Sequence, residues 1–245
     1  VKAALFVTCL VDGLVPDVGK ATVRVLERVG VTVDVPRTQT CCGQMHVNTG
    51  YPREAIPLVR NHVKAFQRYD AIVVPSGSCT AAIRYQHADV ARLAGDQGLA
   101  AAAEAVAART YELSEFLVDV LGVTDVGAYF PHLVTYHPTC HSLRLLRVGE
   151  RPLRLLRAVE GISLVELPDA EQCCGFGGTF ALKNPAVSSA MLADKMTAVR
   201  ATSATTVTAG DASCLLHIGG GLSRLDTGIG TRHLAEILAS TREER

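Results

Sequence analysis

All eight cysteines of the chain fall into two series that run in the same order at nearly the same spacing. In the first, 31 residues separate Cys9 from Cys41 and 36 separate Cys42 from Cys79. In the second, 32 separate Cys140 from Cys173 and 39 separate Cys174 from Cys214. Each series holds an adjacent pair followed by glycine, Cys41-Cys42-Gly43 and Cys173-Cys174-Gly175, the latter within EQCCGFGGTF at Glu171–Phe180. Adjacent side chains on an extended segment point to opposite faces, so both thiols reach one small object only where the backbone bends, and glycine permits that bend. The pattern predicts an internal duplication in which each copy wraps thiols around a bound group.

The stretches between the cysteines repeat as well. Apolar runs at Ala3–Leu10, Val31–Val35 and Ala71–Val74 predict buried strands in the first copy, matched by Leu133–Tyr136, Ile162–Leu167 and Thr205–Thr208 in the second. Helical spacing marks Val18–Val29, Tyr51–Phe66, Pro152–Val159 and Asn184–Arg200, with Pro57 either kinking its helix or marking the true start. An alanine-rich insertion at Leu93–Ala108 belongs to the first copy alone, and ELSEFL at Glu112–Leu117 resembles HLAEIL at His233–Leu238. The fold class expected is α/β: two similar Rossmann-like lobes from internal duplication, residues 1–125 and 126–245, each with a small, mostly parallel sheet and a cysteine-rich loop. Every cysteine stands at or just beyond a strand exit, where open α/β units bind ligands.

Composition narrows the function. With 24 basic and 24 acidic residues, no basic block and no tryptophan, the chain has no electrostatic footprint for nucleic acid. No apolar run reaches the length of a membrane span. The opening VKAALFVTCLVDG reads as a first strand rather than a signal peptide, so a cytoplasmic location is expected and structural disulfides rank behind metal or redox roles. A chain of 245 residues needs no metal merely to fold.

The thiols therefore need a ligand. Structural zinc sites usually use two Cys-x(2–4)-Cys pairs, whereas directly adjacent cysteines serve a small single ion poorly and can bond different irons of a larger cluster. An iron–sulfur cluster in each copy is the leading reading; zinc, thiol–disulfide chemistry and inert buried thiols are the alternatives. The expected ligands are Cys9, Cys41, Cys42 and Cys79 in one copy and Cys140, Cys173, Cys174 and Cys214 in the other. His137 and His141 flank Cys140, and His46 follows Cys42; each could ligate iron, donate to a sulfur or carry a proton. Arg144 and Lys183 are candidates for binding a substrate carboxylate. Gly177 and Gly178 allow close approach of the backbone to a cluster. His62, His87 and His233 read as surface residues on helices.

The doubled Cys…Cys-Cys-Gly…Cys series resembles the CCG cysteine-rich domain found in heterodisulfide reductase and in the iron–sulfur subunits of glycolate oxidase and anaerobic glycerol-3-phosphate dehydrogenase. Cys41-Cys42-Gly43-Gln44, Tyr136–Arg144 (YHPTCHSLR), Cys173–Phe180 and Lys183-Asn184-Pro185 carry the resemblance, which spans essentially the whole chain. A stand-alone chain with two such domains is similar to the lactate-utilisation branch of that superfamily. The resemblance implies an oxidoreductase subunit that joins in oxidising L-lactate to pyruvate, relaying electrons with other lactate-utilisation or flavin- or ferredoxin-type redox subunits. The superfamily's last element is Cys-x-x-Cys, but here its first cysteine is Ser76 in one copy and Asp211 in the other. Four cysteines per copy make two 4Fe–4S clusters the simpler expectation, with Asp211 a possible extra ligand or a helix cap. No Gly-x-Gly-x-x-Gly dinucleotide fingerprint is present, which favours electron relay over solo catalysis. The alternatives are a thiol/disulfide redox enzyme like heterodisulfide reductase, and a non-enzymatic zinc-binding or redox-sensing protein.

Overall fold

Residues 1–243 are described by a computed structural model, in which two four-stranded parallel sheets carry the architecture. The first sheet is built from β1 (Lys2–Leu5), β2 (Thr32–Asp34), β3 (Ile72–Val74) and β4 (Thr110–Glu112) in the order β2-β1-β3-β4. The second uses β5 (Leu133–Tyr136), β6 (Ser163–Val165), β7 (Thr206–Ala209) and β8 (Gly230–His233) in the order β6-β5-β7-β8. The two orders are the same, and the registers agree: Lys2 pairs with Thr32 as Leu133 pairs with Ser163. The direction of winding reverses between β1 and β3, and again between β5 and β7. These are the switch points at which loops diverge and leave a crevice above the strand ends.

The structure adds one strand to each expected set of three, β4 and β8, and each leads into the repeated tail segment. It also shortens the first. The apolar run Ala3–Leu10 is a strand only to Leu5; Thr8 is extended and starts a short helix, Cys9–Leu14. Pro57 marks a helix start, Ile56–Phe66, preceded by a single 3-10 turn at Pro52–Ala55.

The largest apolar core lies between the two sheets rather than within either. Ala21, Val25 and Leu26 of the helix Pro16–Arg28 meet Leu234, Ile237 and Leu238 of the helix Leu234–Ala239. In the matching arrangement, the helical segment Leu113–Val120 packs on the helix Arg151–Arg157, bringing Leu113, Phe116 and Leu117 into the same core as Leu155 and Leu156. Each copy thus lays its tail helix on the helix that leads into the second strand of the other. Each fully buried Leu or Phe there contributes about 2 kcal/mol. The Arg28 guanidinium strengthens the seam by donating to the carbonyls of Val126 (3.2 Å), Leu238 (3.0 Å) and Ala239 (2.6 Å), the last two at a helix C-terminus. No helix among the described residues is long and apolar enough to cross a membrane.

Candidate metal centre

The thiols gather because every cysteine-bearing segment leaves its sheet at the carboxyl ends of the strands. Cys9 opens the helix after β1, and Cys79 sits in the first turn of the helix Gly77–Tyr85 after β3. Cys41 and Cys42 lie in the loop after β2, turned by Gly43 at φ +81°. Cys140 follows β5, Cys173 and Cys174 follow β6 with Gly175 at φ +89°, and Cys214 opens the helix Ala212–Arg224 after β7. These positive φ values cost little only for glycine.

Within the first set the four sulfurs form a chain of contacts. Cys9 Sγ lies 3.6 Å from Cys41 Sγ, and Cys42 Sγ lies 3.2 Å from Cys79 Sγ. The adjacent pair therefore diverges, one thiol toward the β1 exit and the other toward the β3 exit. In the second set Cys173 interacts with Cys140 and Cys174, and Cys174 with Cys214, in the same pattern. All eight cysteines are free thiols. Cys41 is held well below the usual thiol range by hydrogen bonds from Cys42 and Cys9 and from the Gly43 amide. Cys173 is held low by Cys140 and Cys174 and by the Gly175 amide. Their partners Cys9, Cys42, Cys140 and Cys174 are pushed up, first by those same thiol contacts and then by burial. Such mutually shared protons are what a metal displaces, since thiolate is the ligating form. Four soft donors per set, with the adjacent pair spread across two contacts, fit a sulfur-ligated metal or cluster.

Both sets open on one cleft, lined by all eight cysteines. The two cysteine-rich loops touch across it: a Cβ on Gly178 would lie 3.1 Å from Met45 Cγ. Gln44 Nε2 and His141 Nε2 are 3.3 Å apart. The floor is polar. Asp211 Oδ2 accepts from the Ser78 amide at 2.8 Å, and Oδ1 accepts from the hydroxyls of Ser76 (3.0 Å), Ser78 and Ser213 (both 3.2 Å). Asp211 thereby caps the helix of the opposite copy, while Ser76 caps its own through the Cys79 amide. Farther in, Glu112 and His233 take matching N-cap places at the ends of β4 and β8. Burial pushes Glu112 up to about 7 and His233 down to about 4.

The other candidates scatter. His141 lines the cleft, whereas Arg144 and Lys183 do not. Arg144 donates to the Glu171 carbonyl at 3.1 Å, and the exposed Lys183 ammonium lies 4.9 Å from the Tyr51 ring centre. His137 is fully buried beneath the second set, and burial lowers it to about 4. Gly177 and Gly178 line the cleft with positive φ. The surface assignment of His62, His87 and His233 is corrected: all three are at most 2% exposed. His62 packs among the rings of Phe6, Phe66 and His87, and His87 Nε2 sits 2.8 Å from the Cys42 carbonyl oxygen. Lys195, which nothing in the sequence singles out, is buried below the second set, with Nζ donating to the Asp169 carbonyl at 2.9 Å. A lysine on a helix reads as solvated; only aligning the two copies puts it at the position of the buried Val59.

The family model described as a cysteine-rich domain, CCG, matches residues 3–84 and again 134–219, one match per sheet. The chain is 48% identical over 240 residues to "Lactate utilization protein A" of Bacillus pumilus, covering 98% of this chain and 99% of that protein. It is 46% identical over 243 residues to the protein of that name from Oceanobacillus iheyensis, covering 99% and 98%. To the one from Geobacillus kaustophilus it is 48% identical over 238 residues, covering 97% and 98%. Among solved structures, glutamate racemase isoform RacE1 from Bacillus anthracis aligns at a TM-score of 0.35 and 14% identity over 98% of this chain and 78% of that one, a likeness that carries no argument.

Proposed function

Because the chain belongs to the CCG cysteine-rich family, in its two-domain lactate utilization protein A group, we propose that it is the iron–sulfur subunit of an L-lactate-oxidising system. Cys9, Cys41, Cys42 and Cys79 would hold one 4Fe–4S cluster, and Cys140, Cys173, Cys174 and Cys214 a second. Such clusters supply one-electron storage at potentials tuned by the surrounding protein. The observation that carries the reading is the convergence of two four-thiol sets on one cleft at the carboxyl ends of two equivalent sheets.

The chain's own residues serve that role in several ways. The Gly43 and Gly175 amides, each 3.4 Å from a cysteine sulfur, stabilise thiolate at Cys41 and Cys173. Buried Phe6, Phe66, Val207 and Ile218 keep water from the inner sulfurs of each set. Ser76 and Asp211, which stand where the superfamily carries a fifth cysteine, tie the two copies together at the cleft floor. His141 stands at the cleft wall, its Nε2 3.3 Å from Gln44 Nε2. Hydride or two-electron chemistry on lactate falls to a partner subunit of flavin or similar class, with this chain as relay in the cytoplasm.

Anaerobic purification with iron and acid-labile sulfide analysis, then low-temperature EPR of the dithionite-reduced protein, tests the proposal. About eight irons and eight sulfides per chain are expected for two 4Fe–4S clusters, with about half lost on Cys173→Ser or Cys41→Ser. Zinc in place of iron, with no sulfide, would overturn it and leave a structural metal protein.

A further inference from the structure

The two thiol sets occupy equivalent frames but rest on different beds. Phe6 and His137 hold one position: each lies three residues before its first cysteine, with its amide bonded to the next strand, Phe6 to Val73 O at 2.9 Å and His137 to Thr208 O at 2.8 Å. Val59 and Lys195 hold another. The buried positions Val59, His62, Val63 and Phe66 recur at one constant offset as Lys195, Ala198, Val199 and Thr202. The same offset relates Ala55, which faces Gly43, to Met191, which faces Gly175.

At both positions the second copy replaces an apolar side chain with a hydrogen-bond donor or a cation. Lys195 is 1% exposed and forms no ion pair among the described residues. It donates to the backbone carbonyls of Asp169 and Ala170, and Cys174, Cys140 and Cys173 lie within its electrostatic reach. His137 has a ring nitrogen within 4.8 Å of the sulfurs of Cys174 and Cys214, and neither ring nitrogen has a hydrogen-bond partner among the described residues. Among those residues the first set has no fully buried lysine or arginine beside it. The buried His87 has Nε2 on the Cys42 backbone carbonyl rather than on a sulfur, and His46 is only half-buried near Cys41.

Reduction adds negative charge to a thiolate-bound cluster. A buried cation and an N–H aimed at sulfur both stabilise the reduced form, and in a low-dielectric interior they are weakly screened. Resting on the iron–sulfur reading above, we infer that the two centres are unequal, the one held by Cys140, Cys173, Cys174 and Cys214 having the higher reduction potential because of Lys195 and His137. Electrons entering the chain collect on the second copy, so that copy faces the acceptor side of the relay. The transfer moves one electron between centres, with no bond made or broken, and an external reductant supplies it.

The test is an anaerobic redox titration of the intact protein, followed by EPR, after its sulfide content has been measured. Two waves are expected, the higher one lost in Cys173→Ser and the lower one in Cys41→Ser. Lys195→Met and His137→Phe, which approximate the first copy's own residues, should each move the higher wave to lower potential and leave the other in place, at unchanged sulfide content. Lys195→Arg should hold the wave near its original position. Loss of the higher wave in Cys41→Ser instead, or no movement in both Lys195→Met and His137→Phe, overturns the inference while leaving the iron–sulfur reading intact. Absence of sulfide from the wild-type protein overturns that reading itself.

Discussion

Ser76 Oγ donates to Asp211 Oδ1 at 3.0 Å across 135 positions of sequence, joining the same position of the two copies to each other. With the Ser78 amide on Oδ2, this places a buried carboxylate at the N-terminus of the opposite copy's helix. Asp211→Ala should therefore cost about 2–3 kcal/mol through lost charge-assisted hydrogen bonds. Urea unfolding measures that loss. Iron analysis of Asp211→Asn, which keeps the shape, separates the two roles: full iron content is expected for a clamp between copies, and lost iron would mark a ligand.

The glycines after the paired cysteines are not equally demanding. A Cβ on Gly175 would sit 2.7 Å from the Ser188 carbonyl oxygen and 2.9 Å from Met191 Cβ, whereas on Gly43 the nearest atom is Ala55 Cβ at 3.2 Å. Gly175→Ala is expected to destabilise by roughly 2–4 kcal/mol and Gly43→Ala by about 1–2, strain and overpacking adding in the first. Thermal melts of the two variants check the order, and equal losses would refute it.

Glu112 and His233 give the fold two opposed pH dependences. Burial raises Glu112 from 4.5 to about 7, so in that window the folded chain holds a proton that the unfolded chain has released, and stability falls as pH rises. Burial lowers His233 from 6.5 to about 4, so the unfolded chain binds the extra proton, and stability falls as pH drops through that window. Glu112→Gln should remove the loss on the alkaline side, making the variant gain on the order of 1–3 kcal/mol relative to wild type between pH 5 and 7.5. Urea midpoints at the two pH values decide the matter; parallel pH profiles would show that Glu112 does not titrate there.

We propose that residues 1–125 and 126–245, though each carries one repeat, unfold as a unit because they exchange tail helices over one core. Hydrogen exchange should show the amides of Ala3–Leu5 and Val134–Thr135 opening with the same free energy. Arg28→Ala, which strips three carbonyls of their donor, should lower both by about 1–3 kcal/mol. Protection lost in one sheet alone would contradict a shared core.

The duplication was legible because thiols cannot drift in register without losing what they hold, and the cysteine spacing thus foretold two similar α/β units. Strands β4 and β8 were not. Thr110–Glu112 is only three residues long, and Gly230–His233 is an edge strand with polar side chains, so neither presents an apolar run. The Ala3–Leu10 run overshot because the apolar character of Phe6 and Val7 continues past the point where pairing stops. The burial of His62 and Lys195 was hidden for a common reason: on a helix, the polar residue that faces inward is set by the neighbour it meets, and those neighbours lie far away in sequence. His137 stands out in the sequence for its nearness to Cys140, yet its burial against Cys174 and Cys214 needs β7 beside β5.

The exchanged tail helices also set an order of assembly. The apolar face of Pro16–Arg28 is covered by Leu234–Ala239, with Arg28 and Leu238 standing 210 positions apart in the chain. Until the two helices meet, neither half has its full core. Closure of the two halves is therefore one packing event, and neither thiol set is walled in before the other.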